Sequence, residues 1–173
     1  LKEKEALVIG AGEMSSLCVK HLVNQQAKIV LINRDIKNAE NLASEISKNH
    51  SGVQIRVESF GELGALINQI PLAFTATGAP HTIIIQDMVE SQKEKCYWFD
   101  LAVPRDIDKI CDENICVFTV DDLQDIVNKN LALREEQAKI AYGIVGRHTQ
   151  DFFAWLQTLN VEPLIKMIRQ QAK

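Results

Sequence analysis

Six residues near the start of the chain, Gly10-Ala11-Gly12-Glu13-Met14-Ser15, have the types and spacing of a phosphate-binding turn. In such a turn the first glycine permits a tight reversal. The second lets a pyrophosphate approach the backbone, and a small third residue lets helix and strand pack closely. Ser15 stands where Gly or Ala is usual, but it is small enough to keep that packing. The apolar run Ala-Leu-Val-Ile-Gly (6–10) precedes the turn and a helix-like stretch follows it. A strand–turn–helix context makes the motif a nucleotide site rather than a merely tight turn, with phosphates lying on free N–H groups at the helix N-terminus.

The next strand ends Ile32-Asn33-Arg34-Asp35. A site preferring NAD usually carries an acidic residue here for the ribose 2′-hydroxyl. Arg34 instead offers a planar, always-charged donor fork suited to a 2′-phosphate, and Asn33 a neutral donor. NADP is therefore expected over NAD, with Asp35 read as a helix cap rather than a ribose ligand. Ligands of open parallel sheets lie outside the carboxyl ends of the strands. Thr75, Thr77 and Gly78, in the stretch TATGAP, and Ala102 and Val103, in DLAVPRD, are thus expected toward the nicotinamide half.

A group to activate a carbonyl is harder to find. The cysteines, Cys18, Cys96, Cys111 and Cys116, lie in or beside apolar runs without CxxC spacing, and read as buried reduced thiols. Cys18 is expected on the inner face of the first helix. His81 is the best-placed acid–base candidate, yet no second group completes a pair. No catalytic residue and no metal site are assigned.

The elements that must position these residues alternate. Strands are expected at 6–10, 28–33, 53–57, 71–77, 96–103 and 115–120. Helices should follow Gly12 (through Met14, Leu17, Cys18, His21 and Leu22), Asp35, residue 59 and residue 82, the last near 82–92. This pattern predicts a Rossmann-like, doubly wound α/β fold with a mainly parallel six-stranded sheet over residues 1–120. From Asp121 the pattern changes. The stretch DDLQ reads as a capping box, and apolar residues from Leu123 to Leu159 recur at helical spacing. One helix of about 38 residues, roughly 57 Å, is expected, with two helices broken near Gly143 as the alternative. Pro163 should then open a short final helix. A stripe this long needs a partner, so residues 121–173 are expected to self-associate.

Composition narrows the class. The net charge is -4, and residues 121–173 carry seven charges of each sign, so the excess lies in 1–120, with 12 basic and 16 acidic side chains. A generic polyanion binder would show the opposite balance. No run approaches the roughly 20 apolar residues of a membrane span, and the charged start LKEKE does not read as a signal peptide. The cytoplasm is the expected compartment.

With these residues placed, the sequence resembles glutamyl-tRNA reductase. The stretches that carry the likeness are VIGAGEMS (8–15), INR (32–34), TATGAPH (75–81), DLAVPRDID (100–108) and DDLQDIVNKNLALR (121–134). The resemblance implies NADPH-dependent reduction of glutamyl-tRNA to glutamate-1-semialdehyde in tetrapyrrole (porphyrin) biosynthesis, through a thioester on a cysteine. It implies that 1–120 is the NADPH-binding domain and 121–173 a spinal helix with part of the dimerisation region of a homodimer. A preceding catalytic domain, bearing the cysteine and most contacts to glutamyl-tRNA, is expected outside this chain, which reads as cut at its end. The downstream aminomutase is a further partner implied in this way. Coenzyme contacts are implied at Gly10, Ala11, Gly12, Glu13, Met14, Ser15, Asn33, Arg34, Thr75, Thr77, Gly78, Ala102 and Val103. A shikimate-dehydrogenase-like oxidoreductase, whose second strand also ends Asn-Arg, and a non-enzymatic NADP-binding dimerising module are the alternatives. AVPRDID and the uninterrupted helix count against the former.

Overall fold

The computed structural model describes residues 1–50 and 52–171, except for the side chains of 126, 129, 132, 133 and 159–162. Six strands form one sheet: β1 (Glu5–Ile9), β2 (Lys28–Asn33), β3 (Ile55–Ser59), β4 (Leu72–Thr75), β5 (Cys96–Asp100) and β6 (Ile115–Thr119). All pairs are parallel, in the order β3-β2-β1-β4-β5-β6. Three helices accompany the sheet: α1 (Glu13–Asn24), α2 (Ile36–Asn49) and α3 (Leu63–Gln69). The strand order reverses direction between β1 and β4, and this switch point is where a doubly wound sheet opens a crevice at its carboxyl edge.

Alternating side chains of the central strands feed two cores. Leu7, Ile9, Val30 and Ile32 face α3, through Leu63, Leu66 and Ile67, together with Ile84 and Ile107. Ala6, Val8, Ile29 and Leu31 face Val19 and Leu22 of α1 and Ala39, Leu42 and Ile46 of α2. Burial on both faces explains why β1 and β2 read as continuous apolar runs. Each fully buried Ile or Leu contributes about 1.5–3 kcal/mol of transfer free energy. On β4, β5 and β6, Phe74, Phe99 and Phe118 stack in register, with ring centroids 5.0 and 5.3 Å apart.

Local chemistry sets the helix ends. The Asp35 carboxylate accepts the backbone N–H of Lys37 at 3.0 Å and caps α2, as the sequence suggested. The inner face of α1 is Ser15, Val19 and Leu22, whereas Met14 and Leu17 are about half exposed. Of the expected face, Met14–Leu17–Cys18–His21–Leu22, only Leu22 is buried; the rest is turned outward, with Ser15 drawn against the chain after β4.

The helix expected near 82–92 does not form. That segment holds only a single 3-10 turn, Gln86–Met88. Its β-branched run Thr82-Ile83-Ile84-Ile85 is stiff in a helix, and Ile84 bridges in parallel to Ile107. Asn68 then captures the following backbone, donating to the Met88 carbonyl at 2.8 Å and accepting from the Glu90 N–H at 2.8 Å.

Contacts divide the chain into two compact units, Leu1–Leu123 and Gln124–Lys173. The last helix, α4 (Val120–Gln171), has 52 residues, about 78 Å at 1.5 Å per residue. It begins one residue before the expected capping box. The working cap is Thr119 with Asp122, whose carboxylate accepts both the N–H of Thr119, at 2.8 Å, and its hydroxyl, at 2.7 Å. Pro163 lies inside α4 and does not open a separate short helix. A proline deletes one donor at a local cost of about 3 kcal/mol, which kinks a helix of this length more readily than it ends it.

Candidate coenzyme cleft

The site is built at the carboxyl ends of β1, β2 and β4, which lie level because Ile9 pairs with both Ile32 and Thr75. Main-chain bonds carry the pairing one step further. The Gly10 N–H donates to the Ile32 carbonyl at 2.8 Å, and the Ala76 N–H to the Ile9 carbonyl at 3.0 Å. Gly10 has φ +111°, and a Cβ there would lie 2.6 Å from the Ala76 carbonyl oxygen. Only glycine fits this crossing.

Gly12 contrasts with it. Its φ is ordinary, -83°, and a Cβ there would meet no atom within 4 Å. No side chain caps the first turn of α1, so its leading N–H groups lack a side-chain partner and suit an anion. Ser15 is fully buried, with its hydroxyl 3.3 Å from the Ala76 carbonyl. It tightens the turn and does not face the opening. Glu13 and Met14 are exposed on the first turn.

The resulting cleft, about 390 Å³, is lined by Gly10, Ala11, Gly12, Asn33, Arg34, Asn38, Phe60, Ala76, Thr77, Gly78, Ala79 and Ile83. Exposed Arg34 lies over the Phe60 ring, 5.6 Å from its centroid. The Asn33 amide donates to the Asp35 carbonyl at 2.8 Å. With Asp35 engaged as a cap, the polar groups offered at the end of β2 are cationic or neutral.

Six sequence-derived candidates stand apart from the cleft lining: Glu13, Met14 and Ser15 on α1, Thr75 on β4, and Ala102 and Val103 after β5. Thr75 is buried, and its hydroxyl donates to Asp100 at 3.2 Å. Ala102 and Val103 line a separate hollow of about 300 Å³ with Pro104, Arg105 and Thr119. Conversely, Asn38, Phe60 and Ile83 also line the cleft without having been expected there, whereas Ala76 and Ala79 belong to the TATGAP turn that was. Phe60, immediately after β3, carried the one readable signal, since β3 lies beside β2 and its carboxyl end must neighbour Arg34.

Buried carboxylates organise the opposite wall. Asp100 ends β5 and accepts the N–H groups of Ala102, Asp106 and Ile107. Asp106 is itself buried and accepts from Thr77. Cys96 is buried and Cys18 half-buried, and burial raises both thiol pKa values. Contrary to expectation Cys111 is exposed, and Cys116 is half-buried. His81 is exposed at the turn after β4. Among the described residues no group of His, Cys, Asp and Glu could hold a metal ion.

Residues 1–126 match the family model for shikimate / quinate 5-dehydrogenase, and residues 140–173 match that for the glutamyl-tRNAGlu reductase dimerisation domain. Glutamyl-tRNA reductase of Wolinella succinogenes is 55% identical over 168 residues, 97% of this chain. That of Campylobacter jejuni subsp. jejuni serotype O:2 is 48% identical over the whole chain. The chain belongs to the glutamyl-tRNA reductase family. Its first 126 residues are a domain shared with the shikimate / quinate 5-dehydrogenase family, which explains why the Asn-Arg ending of β2 alone could not separate the two. The chain spans 37% and 39% of those two reductases' lengths. The nucleotide-binding domain of glutamyl-tRNA reductase from Thermoplasma volcanium has the same fold, with a TM-score of 0.59 and 23% identity, over 77% of this chain and 86% of that one. No helix among the described residues is long and apolar enough to cross a membrane.

Proposed function

We propose that the cleft between β1 and β4 binds NADPH, and that this chain is the coenzyme-binding and dimerising portion of a glutamyl-tRNA reductase. The observation that carries the coenzyme reading is Arg34, held over Phe60 at the lip of a cleft floored by Gly10, Ala11 and Gly12. The open space at Gly12 and the uncapped first turn of α1 fit a pyrophosphate. The N–H groups of Gly12, Glu13 and Met14 would hold the phosphates. Arg34, with Asn33 beside it, would take the 2′-phosphate as a charge-assisted bond. Thr77 and Gly78 would border the nicotinamide half, with Ser15 and Thr75 supporting from beneath and Ala102 and Val103 on the neighbouring loop.

When bound, NADPH supplies a hydride. The residues here bind and orient it, and none of the four cysteines is placed to form an acyl-enzyme. The nucleophile, and most of the contacts to glutamyl-tRNA, would come from the part of the enzyme outside residues 1–173. The reaction is reduction of the glutamyl ester to glutamate-1-semialdehyde, a precursor that an aminomutase would then consume. We assign residues 1–120 to coenzyme binding and 121–173 to a spinal helix and dimer contacts, in the cytoplasm. The match of 140–173 to a dimerisation domain supports the homodimer.

Calorimetric titration of the full chain tests this. NADPH should bind at least tenfold more tightly than NADH, a difference of about 1.4 kcal/mol. Equal affinities would remove the role of Arg34.

A further inference from the structure

The wall of the cleft on the β4 side hangs from a residue that does not line it. Asp106 is fully buried. Its Oδ2 accepts the backbone N–H of Thr77 at 2.9 Å, and its Oδ1 accepts the Thr77 hydroxyl at 2.5 Å. The Thr77 Oγ in turn accepts the N–H of Ala79 at 3.2 Å. The Asp106 carbonyl takes the N–H groups of Ile83 and Ile84, at 2.7 and 3.0 Å. Thr77, Ala79 and Ile83 all border the cleft. Asp106 is held in its own place by Asp100, whose two oxygens accept its N–H at 3.2 and 3.1 Å.

The donors in this chain run one way. An ionised carboxylate only accepts, so the Thr77 proton points at Asp106 and the Thr77 lone pairs are left for Ala79. An amide at 106 would turn its NH2 toward the Thr77 oxygen, so the hydroxyl proton would lose its acceptor and have to rotate away. The same bonds decide what the wall can offer a ligand. Both polar groups of Ala76 are engaged, its N–H with Ile9 and its carbonyl with Ser15, and the Thr77 N–H and hydroxyl are engaged with Asp106. Gly78 makes no hydrogen bond among the described residues, and a Cβ on it would meet nothing within 4 Å. Its N–H is therefore the open donor of the stretch Ala76–Ala79 among the described residues.

We propose that Asp106 is a positioning residue for the nicotinamide half of the coenzyme, acting through Thr77 to present the Gly78 main chain to the ligand. The proposal rests on the NADPH reading above. In an open sheet of this order the adenosine half lies toward β2 and the nicotinamide half toward β4, so the two halves can be probed separately.

The full chain, with D106N, T77V or T77S, is titrated with NADPH and with adenosine 2′,5′-bisphosphate, which lacks the nicotinamide half. D106N and T77V should weaken NADPH about tenfold and leave the bisphosphate within about twofold, while T77S, which keeps the hydroxyl, should bind both as the parent does. If D106N fails to fold, the T77V and T77S pair carries the same comparison. Parallel loss of both probes would show a merely structural role and overturn the proposal, as would undiminished NADPH binding. Failure of the unsubstituted chain to bind either probe would instead remove the coenzyme reading, and this proposal with it.

Discussion

The guanidinium of Arg34 sits 5.6 Å from the centre of the Phe60 ring, joining the carboxyl end of β2 to the turn that follows β3. An exposed cation–π contact of this kind is worth about 0.5–1 kcal/mol. It holds a flexible side chain in one orientation before any ligand arrives, which lowers the ordering cost of binding.

Replacing Arg34 with Met should therefore reduce NADPH affinity about tenfold or more and leave NADH affinity within about twofold. Phe60→Ala should produce a smaller loss of the same selectivity, a few-fold, because the cation stays but its placement is lost. Paired titrations with the two coenzymes check both.

The two glycines of the turn should separate stability from binding. Gly10→Ala forces a side chain into a φ of +111° and against the Ala76 carbonyl, so it should lower stability by about 1–3 kcal/mol as well as binding. Gly12→Ala meets no protein atom and should leave thermal unfolding nearly unchanged while abolishing coenzyme binding. Calorimetric melting and titration of each variant check the contrast.

The readable part of the fold was the part governed by local periodicity and capping. β1, β2 and α2 announce themselves through the apolar runs Ala-Leu-Val-Ile and Lys-Ile-Val-Leu-Ile-Asn and through Asp35. The turn at Gly10–Gly12 and the cation at Arg34 could be placed for the same reason. What escaped depended on partners distant in the chain. Residues 82–92 sit where the alternation of strands and helices calls for a helix, yet Asn68 and Asp106 bind their backbone and Ile84 bridges to Ile107. Nothing local to Asp106 shows that its carboxylate reaches back to Thr77. Thr119-Val120-Asp121-Asp122 has the spacing of a capping box two residues ahead of DDLQ, and the strand before it masked that earlier start. The face of α1 was misread because a close approach at Ser15, not apolar count, sets its rotation.

The cap of α4 should be acid-sensitive. The N–H and hydroxyl of Thr119 hold the Asp122 carboxyl below the ordinary carboxylate range, and the N–H groups of Asn114 and Gln92 do the same for Asp112. A depressed folded-state pKa contributes stability above the unfolded value, near 4, that is lost as pH falls through the folded-state value. Asp122→Asn should thus lower the melting temperature at about pH 7, and the gap to the parent should narrow as pH is taken below about 4. A gap independent of pH would contradict the ionised cap.

Self-association should depend on the exposed aromatic group of α4. Phe152, Phe153 and Trp155 are each more than half exposed, and the Phe152 ring contacts those of Phe153 and Trp155, at 5.9 and 5.8 Å. Buried aromatic anchors commonly carry 2 kcal/mol or more of an interface. Phe152→Ser with Trp155→Ser should raise the dimer dissociation constant by about 30-fold or more while circular dichroism of the first unit is retained. Sedimentation equilibrium over a range of concentrations reads this directly.

A crystal structure of the chain grown with NADPH tests the central claim most directly. The pyrophosphate should lie on the amides of Gly12, Glu13 and Met14, with the 2′-phosphate against the Arg34 guanidinium and the nicotinamide half beside Gly78. A coenzyme bound elsewhere, or an adenosine end turned away from Arg34 with its 2′-phosphate in solvent, would contradict it.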